Sequence, residues 1–198
     1  MIDDDLKSLV LPKDLVLAKD LVLAIDPGFR GGLAVLSKDN VPYLLAPMPT
    51  FERHVHSTPN KKQNGKSNLK TKTEIDVKAL VALIRPFKNR LALAVVEHVN
   101  ARPGEGVSSV FRFGYGAGIL KGVLTALEIP TLRVHPSVWK TALNLDKDKA
   151  KSVALANRIL KPNGNDNGQK RVLLNREDGI AEAALLAYFA FTHFESLI

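Results

Sequence analysis

The residues of this chain that could do chemistry are acids placed where apolar segments begin or end. Asp26 ends one apolar run and precedes a turn, and Glu97 ends a second apolar run. Glu177, Asp178 and Glu182 open an apolar C-terminal segment. A carboxylate beside a buried segment is costly unless it faces a cation. The pattern therefore predicts a divalent-metal site.

Helix geometry narrows the choice among the last three acids. Asp178 and Glu182 are four residues apart, so they lie on one face of a helix. Glu177 lies about 140° around the helix from Glu182, so we favour Asp178, with Glu177 as the alternative. Oxygen ligands without cysteine or histidine select Mg²⁺ or Mn²⁺. Two such ions can activate water and stabilise the leaving oxygen of a phosphodiester.

Each acid also has an ordinary structural interpretation. Asp26 could form the turn that follows it, and Glu97 could pair with a basic side chain. Glu177 and Asp178 could favour the dipole at a helix N-terminus. We favour the metal site because all of these alternatives would have to hold together.

Composition restricts the class of protein and of partner. The 198 residues suffice for one domain with a core. The absence of cysteine excludes disulfides and thiolate metal sites. The acidic start does not resemble a signal peptide, and no apolar run reaches the roughly 18 residues of a membrane span. We expect a cytoplasmic protein with neither a membrane nor a small molecule as its partner.

The net charge of +8 is concentrated in two segments. Residues 53–90 contain ten Lys or Arg against two acids, and residues 133–171 contain nine against three. Basic segments of this kind could simply be solvated surface. Beside an acidic site they favour a nucleic-acid enzyme.

The order of elements predicts an α/β fold with a five-stranded mixed sheet, its first three strands antiparallel, and helices on both faces. The expected strands are residues 21–26, 33–36, 41–48, 91–96 and 131–134. The expected helices are residues 73–87, 108–127, 148–160 and 177–195. Residues 49–73 are expected to form a long basic loop, and residues 136–139 a short turn. Residues 1–20 are expected to be a partly disordered extension and residues 21–198 a single domain.

Several motifs together resemble the RuvC-type Holliday junction resolvases, particularly the phage and chloroplast branch. The residues that carry the resemblance are AIDPG at 24–28, GGLAV at 31–35, VE at 96–97 and DGIAEAALL at 178–186. Supporting stretches are PGEGVSS at 103–109, FGYG at 113–116 and PSVWK at 136–140. The resemblance implies an RNase H-like fold, a homodimer, and metal-dependent symmetric nicking of four-way DNA junctions.

The resemblance also implies roles for individual residues. The metal ligands would be Asp26, Glu97, Asp178 and Glu182, holding Mg²⁺ or Mn²⁺, with two ions per subunit. Bacterial RuvC has aspartates at tighter spacing where this chain has the last pair. Apart from the resemblance, Lys140 follows Trp139 beside the fifth expected strand and is expected to contact the scissile phosphate, with an ordinary surface lysine as the alternative.

Other residues suit contacts with DNA or with a second copy of the chain. Arg112 and the flanking Phe111 and Phe113 are expected to contact DNA. One of the two rings would stack on unpaired bases, and the alternative is that both rings are core. The glycines of the same segment would let another helix approach closely, in a dimer or within the core. The lysines expected to follow the DNA backbone from the long loop are Lys61, Lys62, Lys66, Lys70 and Lys72.

Two other functions stay open at this point. The chain could be an RNase H-like nuclease acting on RNA–DNA hybrids, or a basic DNA-binding protein whose acids are structural. Any of the three functions would place it with DNA, in the cytoplasm of a bacterial or phage-infected cell or in an organelle.

Overall fold

The computed structural model describes residues 19–56, 69–98, 100, 104–161, 174 and 177–193. Five strands form a mixed sheet in the order β3-β2-β1-β6-β7. The strands of this sheet are β1 (Leu21–Ile25), β2 (Gly32–Ser37), β3 (Pro42–Pro47), β6 (Leu91–Glu97) and β7 (Thr131–Val134). The strands β1, β2 and β3 pair antiparallel, and β6 and β7 join in parallel. This confirms the predicted fold class and sheet.

Helices cover both faces of the sheet. The helices are α1 (Val77–Ile84), α2 (Val107–Ala126), α3 (Pro136–Ala142), α4 (Lys149–Ile159) and α5 (Asp178–His193). One apolar core joins one face of the sheet to α1 and α2, and the other joins the opposite face to α3, α4 and α5. Every residue of β1 is buried because this central strand is covered on both sides.

Side chains and proline define where the helices start. Asp76 caps α1, its carboxylate accepting a hydrogen bond from the backbone N–H of Ala79 at 3.0 Å. Asp148 caps α4 in the same way through Ala150, at 2.9 Å. Pro136 occupies the first turn of α3, where its missing N–H is not needed.

Three local predictions were wrong. The described residues of the expected loop at 49–73 lie almost entirely in an antiparallel pair of strands, β4 (Thr50–His56) and β5 (Leu69–Ile75), which form a separate two-stranded sheet. The expected helix at residues 73–87 begins only at Val77, because residues 73–75 belong to β5, and it continues as a 3-10 helix (Arg85–Arg90). The expected turn at residues 136–139 is the first part of α3.

Several predictions fall on residues outside the described part of the chain. They concern residues 1–18 of the extension, residues 57–68 of the expected basic loop, the loop at residues 162–173, and the last residues of the final helix. None of the helices among the described residues is long and apolar enough to cross a bilayer.

A close backbone contact joins the β1–β2 turn to the start of α5. Gly31 and Gly179 form an isolated parallel bridge. A Cβ placed on Gly179 would lie 2.6 Å from the Gly31 Cα, and one placed on Gly32 would lie 2.7 Å from the Ile180 Cα. Side chains cannot fit at these distances, so glycine is required for the first turn of α5 to reach the sheet.

We expect Gly179→Ala to destabilise the protein by about 3 kcal/mol, because the added methyl group must push two backbones apart. Gly114→Ala is the matched control, since an added Cβ there meets nothing within 4 Å. In α2 this control should be neutral or stabilising by up to about 1 kcal/mol. Urea unfolding of both variants measures the difference, and equal stabilities would contradict the required close contact.

Candidate active site

Sheet register places the first two predicted acids side by side. In the parallel pairing of β1 with β6, Ile25 lies opposite Val96. Asp26 follows Ile25 and Glu97 follows Val96, so both carboxylates lie at the carboxyl ends of neighbouring central strands. The Asp26 carboxylate accepts a hydrogen bond from the Gly28 backbone N–H at 3.3 Å, which orients it within the turn.

The other two acids come from the first two turns of α5. The bridge between Gly31 and Gly179 fixes this end of the helix against the turn that follows Asp26. Glu182 is buried, and it is the one buried charged side chain in the described part of the chain. Glu177 is exposed and precedes the helix. Asp178, unlike Glu177, therefore belongs to the helix that carries Glu182.

Two lysines neutralise the acids on α5. Lys140 Nζ, from α3, lies 2.8 Å from Glu182 Oε1. Lys149 Nζ, from α4, lies 2.5 Å from Asp178 Oδ2 and 3.8 Å from Glu182 Oε2. A buried carboxylate requires such partners, because an unpaired buried charge is strongly destabilising. Each oxygen of Glu182 therefore has its own ammonium neighbour.

Glu97 has a different partner. The fully buried Trp139 donates from Nε1 to Glu97 Oε2 at 3.0 Å. The indole fills the core on one side of the sheet and aims its single N–H at the strand end. Because this partner is neutral, the negative charge of Glu97 is not cancelled by it.

The pKa values of two acids reflect this environment. Burial raises the pKa of Asp26, and the charge of Glu182 raises it further, against the Gly28 hydrogen bond and the nearby lysines. Burial raises the pKa of Glu97 to about 7, with added repulsion from Asp26 and Glu182. The hydrogen bond from Lys149, by contrast, lowers the pKa of Asp178. Asp26, Glu97 and Glu182 thus interact as like charges at one site.

The donor chemistry at this site fits a hard divalent cation such as Mg²⁺, because the four side chains offer only carboxylate oxygens. Their positions do not yet form a cage. Across the described ranges, no three or more His, Cys, Asp or Glu side chains form a group that could hold a metal ion. Ion pairs with Lys140 and Lys149 hold two of the carboxylates instead.

Three residues predicted to contact DNA, Phe111, Arg112 and Phe113, are exposed on α2. Phe111 is 72% exposed and stacks on Tyr115 with ring centroids 6.4 Å apart, and Phe113 is 42% exposed. Arg112 Nη2 donates to the Thr73 carbonyl oxygen at 3.3 Å, and its guanidinium lies 4.9 Å from the Phe29 ring centroid.

Only part of the predicted basic loop can be located. Lys70 and Lys72 are exposed on β5. Lys61, Lys62 and Lys66 lie outside the described residues. Two of the five lysines predicted to follow the DNA backbone therefore lie on one strand of the β4–β5 hairpin. The other three belong to the chain segment between β4 and β5.

Sequence reasoning missed two members of the site. Lys149 was not singled out, although a lysine at the first position of a helix opposes the helix dipole and so suggests an acidic partner. Trp139 was noted only as part of a motif. Its burial and its distance from Glu97 along the chain left no local signal that the two would meet.

No protein-family model and no curated protein matches this chain. Among solved structures, it is similar to Thermus thermophilus RuvC in complex with a Holliday junction substrate, with TM-score 0.51 and 14% identity over 89% of this chain and 96% of that one. A second T. thermophilus RuvC structure gives TM-score 0.49 and 16% identity, with the same coverage. The yeast mitochondrial Holliday junction resolvase Ydc2 gives 0.44 and 16%, over 93% and 85% of the chains. The first similarity assigns this chain the RuvC-like, RNase H-like fold.

We expect Glu97→Gln to stabilise the metal-free protein above pH 7. The folded-state pKa of Glu97 is about 7, above the ordinary 4.5. Ionisation of Glu97 therefore leaves stability unchanged below pH 4.5, lowers it progressively between pH 4.5 and 7, and reaches its full effect above about pH 7. The variant avoids this loss, which is worth about 3 kcal/mol.

Urea unfolding in the presence of a chelator, from pH 4 to about pH 8, measures the effect. Glu52→Gln, at an exposed position on β4, is the control and should show no such trend. A stability difference between Glu97→Gln and wild type that does not change with pH would contradict the expectation.

Proposed function

We propose that this protein is a metal-dependent endonuclease that resolves four-way DNA junctions by paired symmetric nicks. The observation that carries the proposal is the convergence of Asp26, Glu97 and Glu182 at one end of the sheet of an RNase H-like fold, with Asp178 joined to Glu182 through Lys149. Carboxylates at this position suit cation-assisted hydrolysis of a phosphodiester. The T. thermophilus RuvC structure of similar fold contains a Holliday junction substrate. Such a nuclease would act in DNA recombination and repair, in the compartment that contains its DNA substrate.

The four carboxylates would hold Mg²⁺, with Mn²⁺ as a substitute and two ions per subunit. When bound, the cations supply Lewis-acid activation of water and neutralise charge on the phosphate. Asp26 is oriented for this role by the Gly28 N–H, and Glu97 by the Trp139 indole. Lys140 pairs with the buried Glu182 and would offer the remaining N–H groups of its ammonium to the scissile phosphate.

DNA would be bound by two exposed features. Helix geometry places the exposed residues of one α2 face within an arc of about 100°. We call this face the exposed stripe, and it consists of Val107, Phe111, Gly114, Tyr115, Gly118, Gly122 and Thr125. The stacked Phe111 and Tyr115 rings offer a surface for an unpaired base. The basic β5 strand offers Lys70 and Lys72 to the phosphate backbone.

A homodimer would supply the second active site that paired nicks require. The C-terminal half of the exposed stripe suits this contact, because an added Cβ at Gly118 or Gly122 meets nothing within 4 Å. A second helix could therefore approach closely there. Sedimentation at micromolar concentration tests the dimer, and a monomer alone would contradict it.

Two alternatives predict different substrates. A nuclease of the same fold could cut RNA–DNA hybrids, and a non-catalytic protein could bind DNA through its basic surface alone. A four-way junction, a hybrid and a linear duplex at equal protein concentration distinguish them. The mutual pKa effects of the carboxylates favour an enzyme, since acids with structural roles need not be brought together.

We expect Asp26→Asn to abolish nicking of a mobile four-way junction while leaving junction binding intact. The change removes one carboxylate oxygen donor and keeps the shape of the side chain, so nicking should fall by at least about 100-fold. End-labelled junctions with Mg²⁺ measure both the rate and the symmetry of the nicks.

Glu177→Gln is the matched control, because this acid is exposed and outside the cluster. It should cut at the wild-type rate. Loss of nicking in Glu177→Gln, with nicking retained in Asp26→Asn, would show that Glu177 and not Asp26 is needed for the reaction. Cutting of the hybrid but not the junction by wild type would replace the proposed function with the ribonuclease.

We expect Phe111→Ala to slow junction cleavage by about 10-fold or more, because base–aromatic stacking contributes about 1–3 kcal/mol. Binding of Mn²⁺ should not change, since Phe111 is not part of the carboxylate cluster. Val107→Ala removes apolar surface from the same stripe without removing a ring and should cut nearly as fast as wild type. Equal rates for wild type and Phe111→Ala would rule out stacking.

A further inference from the structure

Lys149 occupies the space between the two carboxylates of α5. Its ammonium lies 2.5 Å from Asp178 Oδ2 and 3.8 Å from Glu182 Oε2. Lys140 engages the other oxygen of Glu182 at 2.8 Å. Every oxygen through which Glu182 could bind a cation thus has an ammonium beside it.

The position of Lys149 on its own helix does not explain this contact. It is the first residue of α4, where the N–H groups carry partial positive charge, so a lysine is disfavoured there. The neighbouring Asp148 already caps the helix through the Ala150 N–H. The acids of α5 are therefore what holds the Lys149 side chain in place.

The two lysines differ in how easily they can leave. The side chain of Lys140 is 21% exposed and that of Lys149 is 57% exposed. Moving the Lys149 ammonium into water is therefore the easier change. It would free one oxygen of Asp178 and one of Glu182 together, while Lys140 continues to neutralise Glu182.

We propose that Lys149 is a competing cation of the carboxylate site: its ammonium bridges Asp178 and Glu182 when no divalent ion is bound, and it must be displaced when one binds. Lys149 thereby lowers the affinity of the site for divalent ions and stabilises the metal-free protein. The inference rests on the metal site of the proposed function. It goes beyond that function because it assigns control of metal affinity to a lysine that is not itself a ligand.

The test measures Mn²⁺ binding by calorimetry without DNA. Lys149→Gln removes the charge and keeps a polar side chain of similar reach, and we expect it to bind Mn²⁺ about three- to tenfold more tightly. Lys149→Arg keeps the positive charge and should bind like wild type. Lys151→Gln is the matched control on the same helix, because Lys151 pairs with Asp146. It should change the affinity by less than about twofold at about 0.15 M salt, where exposed charges are screened.

Thermal unfolding gives a second readout that does not depend on catalysis. Metal-free Lys149→Gln should melt below wild type, since Asp178 and Glu182 lose a counter-ion. Saturating Mn²⁺ should raise its melting temperature by more than that of wild type, because tighter binding to the native state stabilises it more.

Three results would overturn the proposal. These are an unchanged or weaker Mn²⁺ affinity in Lys149→Gln, an equal gain in Lys151→Gln, and no Mn²⁺ binding by any variant. Junction cleavage is measured separately. Tighter Mn²⁺ binding without junction cleavage would therefore support the role of Lys149 and reject the resolvase, and the opposite result would do the reverse.

Discussion

The contact between the β1–β2 turn and the first turn of α5 determines where the acids of this protein can meet. Gly31 and Gly179 form a backbone bridge, and neither backbone could come so close with a side chain between them. Asp178 directly precedes this bridge, and Glu182 lies one turn further along the helix. The helix acids therefore reach the strand acids because of a backbone approach that only glycine permits.

Bringing the carboxylates of Asp26, Glu97 and Glu182 together creates a repulsion that the surrounding elements offset unequally. Glu182 is buried and has ammonium neighbours from α3 and α4, whereas Glu97 has a neutral indole. Consequently the pKa of Glu97 rises to about 7 through burial and repulsion. The pKa of Asp178 is lowered instead, because Lys149 donates a hydrogen bond to Asp178. An added cation would relieve the repulsion most at the strand ends, where no lysine of the described residues forms an ion pair.

The central sheet and the positions of its acids could be predicted because both follow local rules. Continuous apolar runs mark buried strands, and parallel strands end at one edge of a sheet. The β4–β5 hairpin could not be predicted in this way. Its strands expose polar side chains and are joined by pairings across the hairpin, such as Arg53 with Glu74 at 2.6 Å. Lys149 and Trp139 were missed because their partners lie more than 25 residues away along the chain.

The surface that would meet DNA is attached to the acids through a short series of contacts. Ile75, at the base of the hairpin, packs under Gly116 of α2, where an added Cβ would lie 3.4 Å from its Cδ1. Arg112 links the Thr73 carbonyl of β5 to the Phe29 ring, which belongs to the turn after Asp26. Arg112 therefore spans the hairpin, α2 and the Asp26 turn. Because its guanidinium already has partners on the hairpin and the Asp26 turn, Arg112 is better suited to fix the spacing between the exposed stripe and the carboxylates than to bind phosphate itself.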